Sequence, residues 1–588
     1  MGQIVSEALI ERLAEWGVDT IFGLPGDGIN GLMEGLRRNQ DKVRFVLVHH
    51  EEAAAFMATA HAKATGRLGV CLATSGPGGI HLLNGLYDAK LDHMPVLAIT
   101  GTQETSVLGT GYQQEVAMDK LYMDVAEYDQ MIYNPAQLPG VLDVAVRTAY
   151  ARRGVAHLTV PNDIQVADAD ADPWQHVAPA SPPRTAAIRL PAPGRPREED
   201  LQRLADFLND GKKIAILAGA GALHAREELL ALAETLAAPI VKTLSGKATV
   251  PDDSPYTTGG IGLLGTRPSE DLMDEIDTLF LVGTNFPYTK HLPEAGSVRI
   301  AQIEADPARA GARIATEVPV VGDAKEGLAA LLSLLKRRSD TKFLEKYQKE
   351  MSRWRDKMAA QENAERDPVA PQYVVSVLSE LAADDAVLTC DSGTIATWAA
   401  RHWMIRGNRK FYLSGNLATM APGMPYAIGI QHAFPGRQVI GYVGDGGFAM
   451  LMAEFITAIQ HKLPVKIVIN NNNSLGQILW EQMVLGYPEH GVRYPQPFVN
   501  YAALAEANGA LGIKVEKAAD VRGAVQQLLR HQGPALLDVN VNPDEPPLPG
   551  KVEYDQARKF ATAFLRGQPR KATIGTTLFK DKIDELKS

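Results

Sequence analysis

Two apolar runs, each ending in a short turn of glycine, aspartate or asparagine, restrict this chain to few folds. Residues 439–443 (VIGYV) run into Gly444-Asp445-Gly446, and residues 465–469 (VKIVI) run into Asn470-Asn471-Asn472-Asn473. Residues 448–461 between them have an amphipathic pattern that predicts a helix. A strand–helix–strand crossover joins parallel strands and brings both strand ends to one edge of the sheet, where ligands bind. A hard cation at that edge takes oxygen ligands: the Asp445 carboxylate, the Asn472 side-chain amide and the Ser474 main-chain carbonyl, with diphosphate oxygens completing the shell. Gly446 and Gly447 belong to the same anion cradle. The plain alternative is an acidic turn and a polar loop in an ordinary α/β sheet.

With 588 residues the chain exceeds one hydrophobic core, and three domains are expected. A net charge of −10, with no long basic run, argues against a nucleic-acid backbone as partner. The two cysteines, Cys71 and Cys390, sit in apolar runs and give no disulfide framework, which points to a reducing, cytoplasmic setting. Ile4, Ala8, Leu9 and Leu13 form a helical stripe opposed by Glu7, Glu11 and Arg12, so the N-terminus reads as an amphipathic helix rather than a signal segment. No apolar run approaches the ~20 residues that span a bilayer.

Three α/β blocks succeed one another along the chain. In the first, residues 1–170, strands are expected at 20–22, 44–48, 69–73, 96–100 and 157–160, with helices at 53–65 and 80–89. Residues 177–196, rich in Pro and Ala, read as a linker. The second block, 190–340, has strands at 214–217, 240–242, 278–282 and 299–303. A charge-dense passage, 336–366, crosses to the third block, 365–545, which carries the metal motif and has further strands at 386–389 and 535–541. A tail, 546–588, reads as a helix at 556–566 and a second, short one after Pro569. There Leu578, Phe579, Ile583 and Leu586 fall at helical spacing. The alternation predicts doubly wound parallel sheets with helices on both faces.

The motif resembles the thiamine diphosphate motif of the pyruvate oxidase and acetolactate synthase superfamily. So do His50-Glu51-Glu52-Ala53-Ala54-Ala55, Gly76-Pro77-Gly78-Gly79, the run 282–288 (VGTNFPY) and Lys462-Leu463-Pro464-Val465-Lys466. The resemblance implies pyrimidine-binding, central flavin-binding and diphosphate-binding domains. It also implies active sites between the subunits of a homodimer or homotetramer, with Mg2+ on the diphosphate. It makes Glu51 the carboxyl group that works with the aminopyrimidine, a role favoured by poor solvation; the alternative is a helix-start acid, the part left to Glu52. The passage 416–425 (NLATMAPGMP) resembles the loop that bends the cofactor. Met420 would lie beneath its rings, with Ala418 holding the pyrimidine; otherwise Met420 is a core residue at a helix start. Gly393 and Thr394, at a helix start after Asp391-Ser392, would contact the diphosphate, unless Ser392 or Thr394 merely caps that helix. Leu475 and Gly476 continue the cofactor segment begun by Gly444, Asn472 and Ser474. His81 would stand near the reacting carbonyl, and Gly26 and Asp27 would face the same cleft, Asp27 serving alternatively as a cap.

The second block carries Gly219-Ala220-Gly221 after a strand, a weak dinucleotide signal alone. Thr243, Gly262, Gly283, Thr284, Asn285, Glu304 and Asp323, in turns after successive strands, resemble the FAD contacts of the oxidases. FAD is therefore expected, although the synthases carry a flavin with no net redox role. After the metal site, Ile478 and Glu481 match the oxidase pattern, whereas the synthases have Trp at the position of Glu481. Gln477 and Gln113-Gln114 depart from the oxidases, which commonly have Phe at the positions of Gln477 and Gln113; Gln114 corresponds to the pocket Gln. The resemblance implies oxidative decarboxylation of a 2-keto acid, pyruvate by default, to acetate or acetyl phosphate and CO2, with O2 or a quinone as acceptor. An acetolactate synthase-type carboligase with a silent FAD is the alternative. The tail stripe is interrupted by Asp581, Asp584 and Glu585, which favours a protein contact over a lipid one.

Overall fold

A computed structural model of the chain describes residues 2–169, 194–495, 497–551 and 554–587; the side chains of Leu586 and Lys587 lie outside that description, as does most of the expected linker at 177–196. The described residues form three six-stranded sheets, every strand pairing parallel, with helices between the strands. The expected fold class holds.

The first sheet contains β1 (Thr20–Leu24), β2 (Arg44–Leu47), β3 (Gly69–Ala73), β4 (Val96–Thr102), β5 (Ala126–Met131) and β6 (Val155–Pro161), in the order β2-β1-β3-β4-β6-β5. The second contains β7 (Ile214–Ala218), β8 (Ile240–Lys242), β9 (Thr257–Gly260), β10 (Thr278–Val282), β11 (Arg299–Glu304) and β12 (Val318–Val321), ordered β12-β11-β10-β7-β8-β9. The third contains β13 (Val387–Cys390), β14 (Lys410–Tyr412), β15 (Val439–Gly444), β16 (Lys466–Asn471), β17 (Leu511–Val515) and β18 (Ala535–Asn540), ordered β14-β13-β15-β16-β18-β17. Central strands such as β7 and β10 are buried along their whole length, as helices on both faces require.

The first and third sheets share one core. The Ala-rich helix Glu51–Thr65 packs on the helix Gly423–Ala433 so closely that a Cβ on Gly429 would stand 2.6 Å from the Met57 carbonyl oxygen. Small residues along both helices make that approach possible.

Several expectations are corrected. Five strands were not foreseen, β5, β9, β12, β14 and β17, and all five lie at sheet edges. The helix expected at 448–461 is two, Asp445–Met450 and Glu454–Gln460, the first starting at the metal-motif aspartate itself. The helix expected at 80–89 is likewise divided, into Pro77–His81 and Leu83–Leu91. The passage 336–366 contains a 20-residue helix, Lys342–Gln361, that buries Tyr347, Met351, Trp354 and Met358. The second tail helix is long, Lys571–Lys587. No helix among the described residues is long and apolar enough to cross a membrane.

Candidate active site

At the carboxyl edge of the third sheet, β13, β15 and β16 are adjacent and end at Cys390, Gly444 and Asn471, so Asp391, Asp445 and Asn472 emerge side by side. Asp391 is buried; its Oδ1 accepts from the Gly423 N–H at 2.7 Å, and its Oδ2 has no partner. A Cβ on Gly447 would stand 2.0 Å from that Oδ2, so only glycine fits there. Gly393, at φ 126°, precedes the helix Thr394–His402, which has no side-chain cap; neither Ser392 nor Thr394 serves as one. Its first N–H groups are left for a ligand.

Asp445 is 3% exposed, and burial pushes its carboxyl up to about 7 despite N–H groups at Gly446, Asn473 and Ser474. A desolvated carboxylate of this kind calls for a cation. Asn472 Oδ1 accepts the Ser474 N–H at 3.1 Å, and the Ser474 hydroxyl has no partner. The other asparagines of the string have fold duties: Asn470 Nδ2 donates to Tyr442 Oη at 2.7 Å, Asn471 Nδ2 to Asp538 Oδ1 at 3.1 Å, and Asn473 Nδ2 to the Tyr494 carbonyl at 3.0 Å. A Cβ on Gly446 would meet Tyr494 Oη at 2.8 Å and Met420 Cε at 3.4 Å, which puts Met420 beside the cradle. The buried Asp445 carboxylate, the unpartnered Ser474 hydroxyl and the uncapped helix start at Gly393 fit a diphosphate with a divalent cation.

One cavity of about 2680 Å³ joins this cradle to the second sheet. From the third sheet it is lined by Gly393, Thr394, Ala418, Met420, Gly444 to Gly447, Asn472, Ser474 to Ile478 and Glu481. From the second it is lined by Gly221, Thr243, Gly262, Gly283, Thr284, Asn285 and Glu304. Gln477 Nε2 donates to Glu481 Oε1 at 3.0 Å. Two expected flavin contacts fall outside this lining. Gly219 packs against Thr284, where a Cβ would stand 2.4 Å from the Thr284 Cβ. The Asp323 carboxylate is taken up by the helix Ala324–Leu332, accepting from Lys325 N at 2.9 Å and Glu326 N at 3.1 Å, and by His224 at 2.9 Å.

The remaining predicted residues form a second cluster on the first sheet. Glu51 opens its helix, is 5% exposed, and bonds His81 Nδ1 at 2.9 Å through Oε2. The His81 ring stacks on His50 with centroids 4.6 Å apart, and the His50 side chain caps the helix by accepting from Glu52 N. Glu52 itself accepts from Asn84 Nδ2 at 2.6 Å. A Cβ on Gly78 would come within 3.2 Å of Glu51 Oε1. Gln114, at φ 62°, accepts at Oε1 from Ser75 Oγ at 3.3 Å. Gly26 packs on Thr74, and Asp27 Oδ1 accepts from Gly28 N at 2.9 Å. Glu51, His81, Gln114, Gly26 and Asp27 do not line the cavity. In one chain the predicted site is thus two separate clusters.

Two groups of the site were not singled out from the sequence. Asp391 is signalled by its place directly after an apolar run, two positions before a glycine. Glu454 had no signal: buried, pushed up to about 7 by that burial, it accepts from His49 N at 2.9 Å across the junction of the first and third sheets.

Three parallel α/β sheets, with a glycine-rich cradle at the carboxyl edge of the third, are the arrangement of a diphosphate-binding α/β protein. Family models for the thiamine pyrophosphate enzyme N-terminal TPP binding domain, central domain and C-terminal TPP binding domain match residues 4–123, 201–331 and 391–539. YdaP of Bacillus subtilis, provisionally named as a thiamine pyrophosphate-containing protein, is 41% identical over 95% of this chain and 95% of its own length. The pyruvate oxidase of Lactiplantibacillus plantarum is 33% identical over 95% of this chain and 92% of its own length. The acetolactate synthase large subunit of Corynebacterium glutamicum is 31% identical over 92% and 87%. The chain belongs to the thiamine pyrophosphate enzyme family, within the pyruvate oxidase and acetolactate synthase group.

Proposed function

We propose that this enzyme carries out thiamine diphosphate- and FAD-dependent oxidative decarboxylation of a 2-keto acid, pyruvate by default, giving acetate or acetyl phosphate and CO2. The observation that carries the reading is that Ile478 and Glu481 line the same cavity as the glycine-rich turns of the second sheet. A flavin held by Gly221, Thr243, Gly262, Gly283, Thr284, Asn285 and Glu304 would supply an electron acceptor next to the decarboxylation site.

Thiamine diphosphate supplies the electron sink for decarboxylation. In this reading Asp445, Asn472 and the Ser474 carbonyl hold Mg2+. N–H groups at Gly393, Thr394, Gly446 and Gly447 bind the diphosphate, and Ala418 and Met420 seat the ring. Glu51 shares a proton with the cofactor's pyrimidine, and His81 fixes the Glu51 carboxyl. Gln114, Ile478 and Glu481 line the substrate pocket. The separation of the two clusters supports a homodimer or homotetramer in which a second copy brings its Glu51 cluster to this cavity. O2 or a quinone takes the electrons. Two buried free thiols, Cys71 and Cys390, support a cytoplasmic setting.

A carboligase with silent FAD is the second reading, favoured by 30–31% identity to acetolactate synthases. Anaerobic mixing with pyruvate separates the two. Flavin bleaching at the turnover rate supports the oxidase; an unchanged flavin spectrum with acetolactate formed supports the carboligase.

A further inference from the structure

A buried charge cluster between the first and third sheets has no part in the proposed chemistry. Lys63, on the helix Glu51–Thr65, meets Asp88 and Asp92 with all three side chains at least nine-tenths buried. Lys63 Nζ lies 2.7 Å from Asp92 Oδ2 and 3.5 Å from Asp88 Oδ2. It also donates to the Leu413 carbonyl at 2.9 Å and to Tyr426 Oη at 2.5 Å, and Tyr426 Oη in turn bonds Asp88. Buried ions of this kind are weak evidence for stability, because their desolvation offsets their attraction. Their arrangement calls for another explanation.

The cluster is built around the segment 413–421. Asp92 accepts the main-chain N–H of Gly415 and that of Asn416, each at 2.8 Å, and the Asn416 side-chain amide at 2.9 Å. Asn416 Nδ2 also donates to the Leu91 carbonyl at 3.0 Å. Directly downstream, Ala418 at φ 55° and Ala421 at φ 81° hold left-handed backbone that L residues avoid. Such conformations persist only where the surroundings over-determine them. Asp92 supplies that constraint at one end of the segment. Thr419 supplies more, donating its N–H to Ser414 Oγ and accepting from Asn84 Nδ2 at its hydroxyl, both at 3.2 Å. The second sheet closes the third side: a Cβ on Gly415 would stand 2.4 Å from Ser245 Oγ. Lys63, Asp92, Ser245, Gly415, Asn416, Ala418 and Met420 all line the cavity.

We propose that Asp92, oriented by Lys63, is a positioning residue that holds the strained segment carrying Ala418 and Met420 in its cofactor-seating shape. The inference rests on the reading that Ala418 and Met420 seat the thiamine ring. Asp92 acts through the main chain of Gly415 and Asn416, and the cofactor ring meets only the segment it holds. In Asp92→Asn the amide NH2 faces either the Gly415 N–H and Lys63 or the Asn416 N–H and side-chain amide, so one main-chain bond is lost, along with the charge that pairs with Lys63, without a change in side-chain size.

The test uses the full-length flavin-loaded protein, stripped of thiamine diphosphate and titrated with it at saturating Mg2+ by calorimetry, alongside flavin content and melting temperature. Asp92→Asn should raise the thiamine diphosphate Kd about tenfold or more, as losses of supporting hydrogen bonds do, with flavin content unchanged. Asn416→Ala, at an exposed residue, should give a smaller rise. The double variant should be less than additive, because both act on one contact. An unchanged Kd in either folded single variant overturns the proposal, as does an affinity loss that only tracks lost flavin and melting temperature. If Asp92→Asn fails to fold, Asn416→Ala decides. Failure of the wild type to bind thiamine diphosphate would instead refute the underlying cofactor reading.

Discussion

Glu51 Oε2 lies 2.9 Å from His81 Nδ1, and His81 itself is 43% exposed at its side chain. The carboxyl group is thus fixed from one side by an imidazole while its other oxygen, close to Gly78, stays free of a charged partner. Glu51→Gln keeps the shape and the helix start but cannot share a proton. It should lower turnover by about 10²–10⁴-fold, the usual worth of a positioned acid–base group, with flavin content unchanged. Steady-state rates with pyruvate on flavin-matched samples check this; near-wild-type turnover would remove Glu51 from its role.

The buried Asp445 links function to stability. In the metal-free protein it is a desolvated carboxylate, so Asp445→Asn should leave the melting temperature of that form equal or higher. The same change should weaken Mg2+ and thiamine diphosphate together, because each is held through the other. Calorimetric titration of each ligand with and without the other reads this. Unchanged diphosphate affinity would show that the cation sits elsewhere.

The fold was legible wherever strands are buried on both faces. β7, β10 and β15 are continuous apolar runs and were found to within a residue or two. The strands that escaped are edges: β5 (AEYDQM) is partly exposed throughout, β12 (VPVV) carries an edge proline, and β17 alternates around Gly512. The split of 448–461 was missed because the first helix starts directly after β15, at Asp445 in the glycine turn, where no apolar spacing marks it. Asp445, Asn472 and Glu51 could be singled out because local motifs carry them. The capping of a helix by Asp323 was not foreseen, because a carboxylate after a strand serves equally as an N-cap. Asp92 was missed because its partners lie more than 320 positions away at Gly415 and Asn416, and no local pattern marks such a contact.

Gln477, at a position where the resemblance has Phe in the oxidases, lines the cavity and donates to Glu481. Gln477→Phe removes that donor and narrows the polar part of the pocket. Anaerobic flavin reduction should then become faster with pyruvate relative to bulkier or hydroxylated keto acids. Gln113, exposed and outside this cavity in one chain, is tested as Gln113→Phe and in the double variant, where non-additivity would show that the two positions share a pocket. A preference profile that stays put in all three would make these amides incidental.

His61 supplies a pH test remote from the metal. It is buried, its Nδ1 has no partner, and burial, with Arg67 adding to it, pushes the imidazole down to about 4. Between pH 4 and the unfolded value near 6.5 the unfolded chain carries the extra proton, so stability rises with pH and is lost on acidification. The slope is at most about 1.4 kcal/mol per pH unit. Asp391 and Glu454, raised to about 7, act in the opposite sense over part of this range, so the comparison is variant against wild type. His61→Gln should reduce the fall in melting temperature between pH 6.5 and 4.5. A fall identical to wild type would show that His61 does not titrate in this range.

The tail is held by charge and packing together. Ile574 is fully buried, Leu578 packs beside Trp480 and Phe560, and Arg366 bonds Asp581 at 2.6 Å and Asp584 at 2.9 Å. Phe579 is the large exposed apolar residue of this helix, at 67%, and Leu586 of the expected stripe lies outside the described side chains. A lipid-binding helix needs a continuous apolar face, and here Ile574 and Leu578 already face protein. The intact enzyme should therefore not co-sediment with anionic vesicles, with or without substrate. Arg366→Ala, which removes the cation shared by two aspartates, should loosen the tail and increase its proteolysis without creating vesicle binding. Sedimentation that appears only after reduction by substrate, and disappears when residues 570–588 are deleted, would overturn this and make a membrane quinone the preferred acceptor.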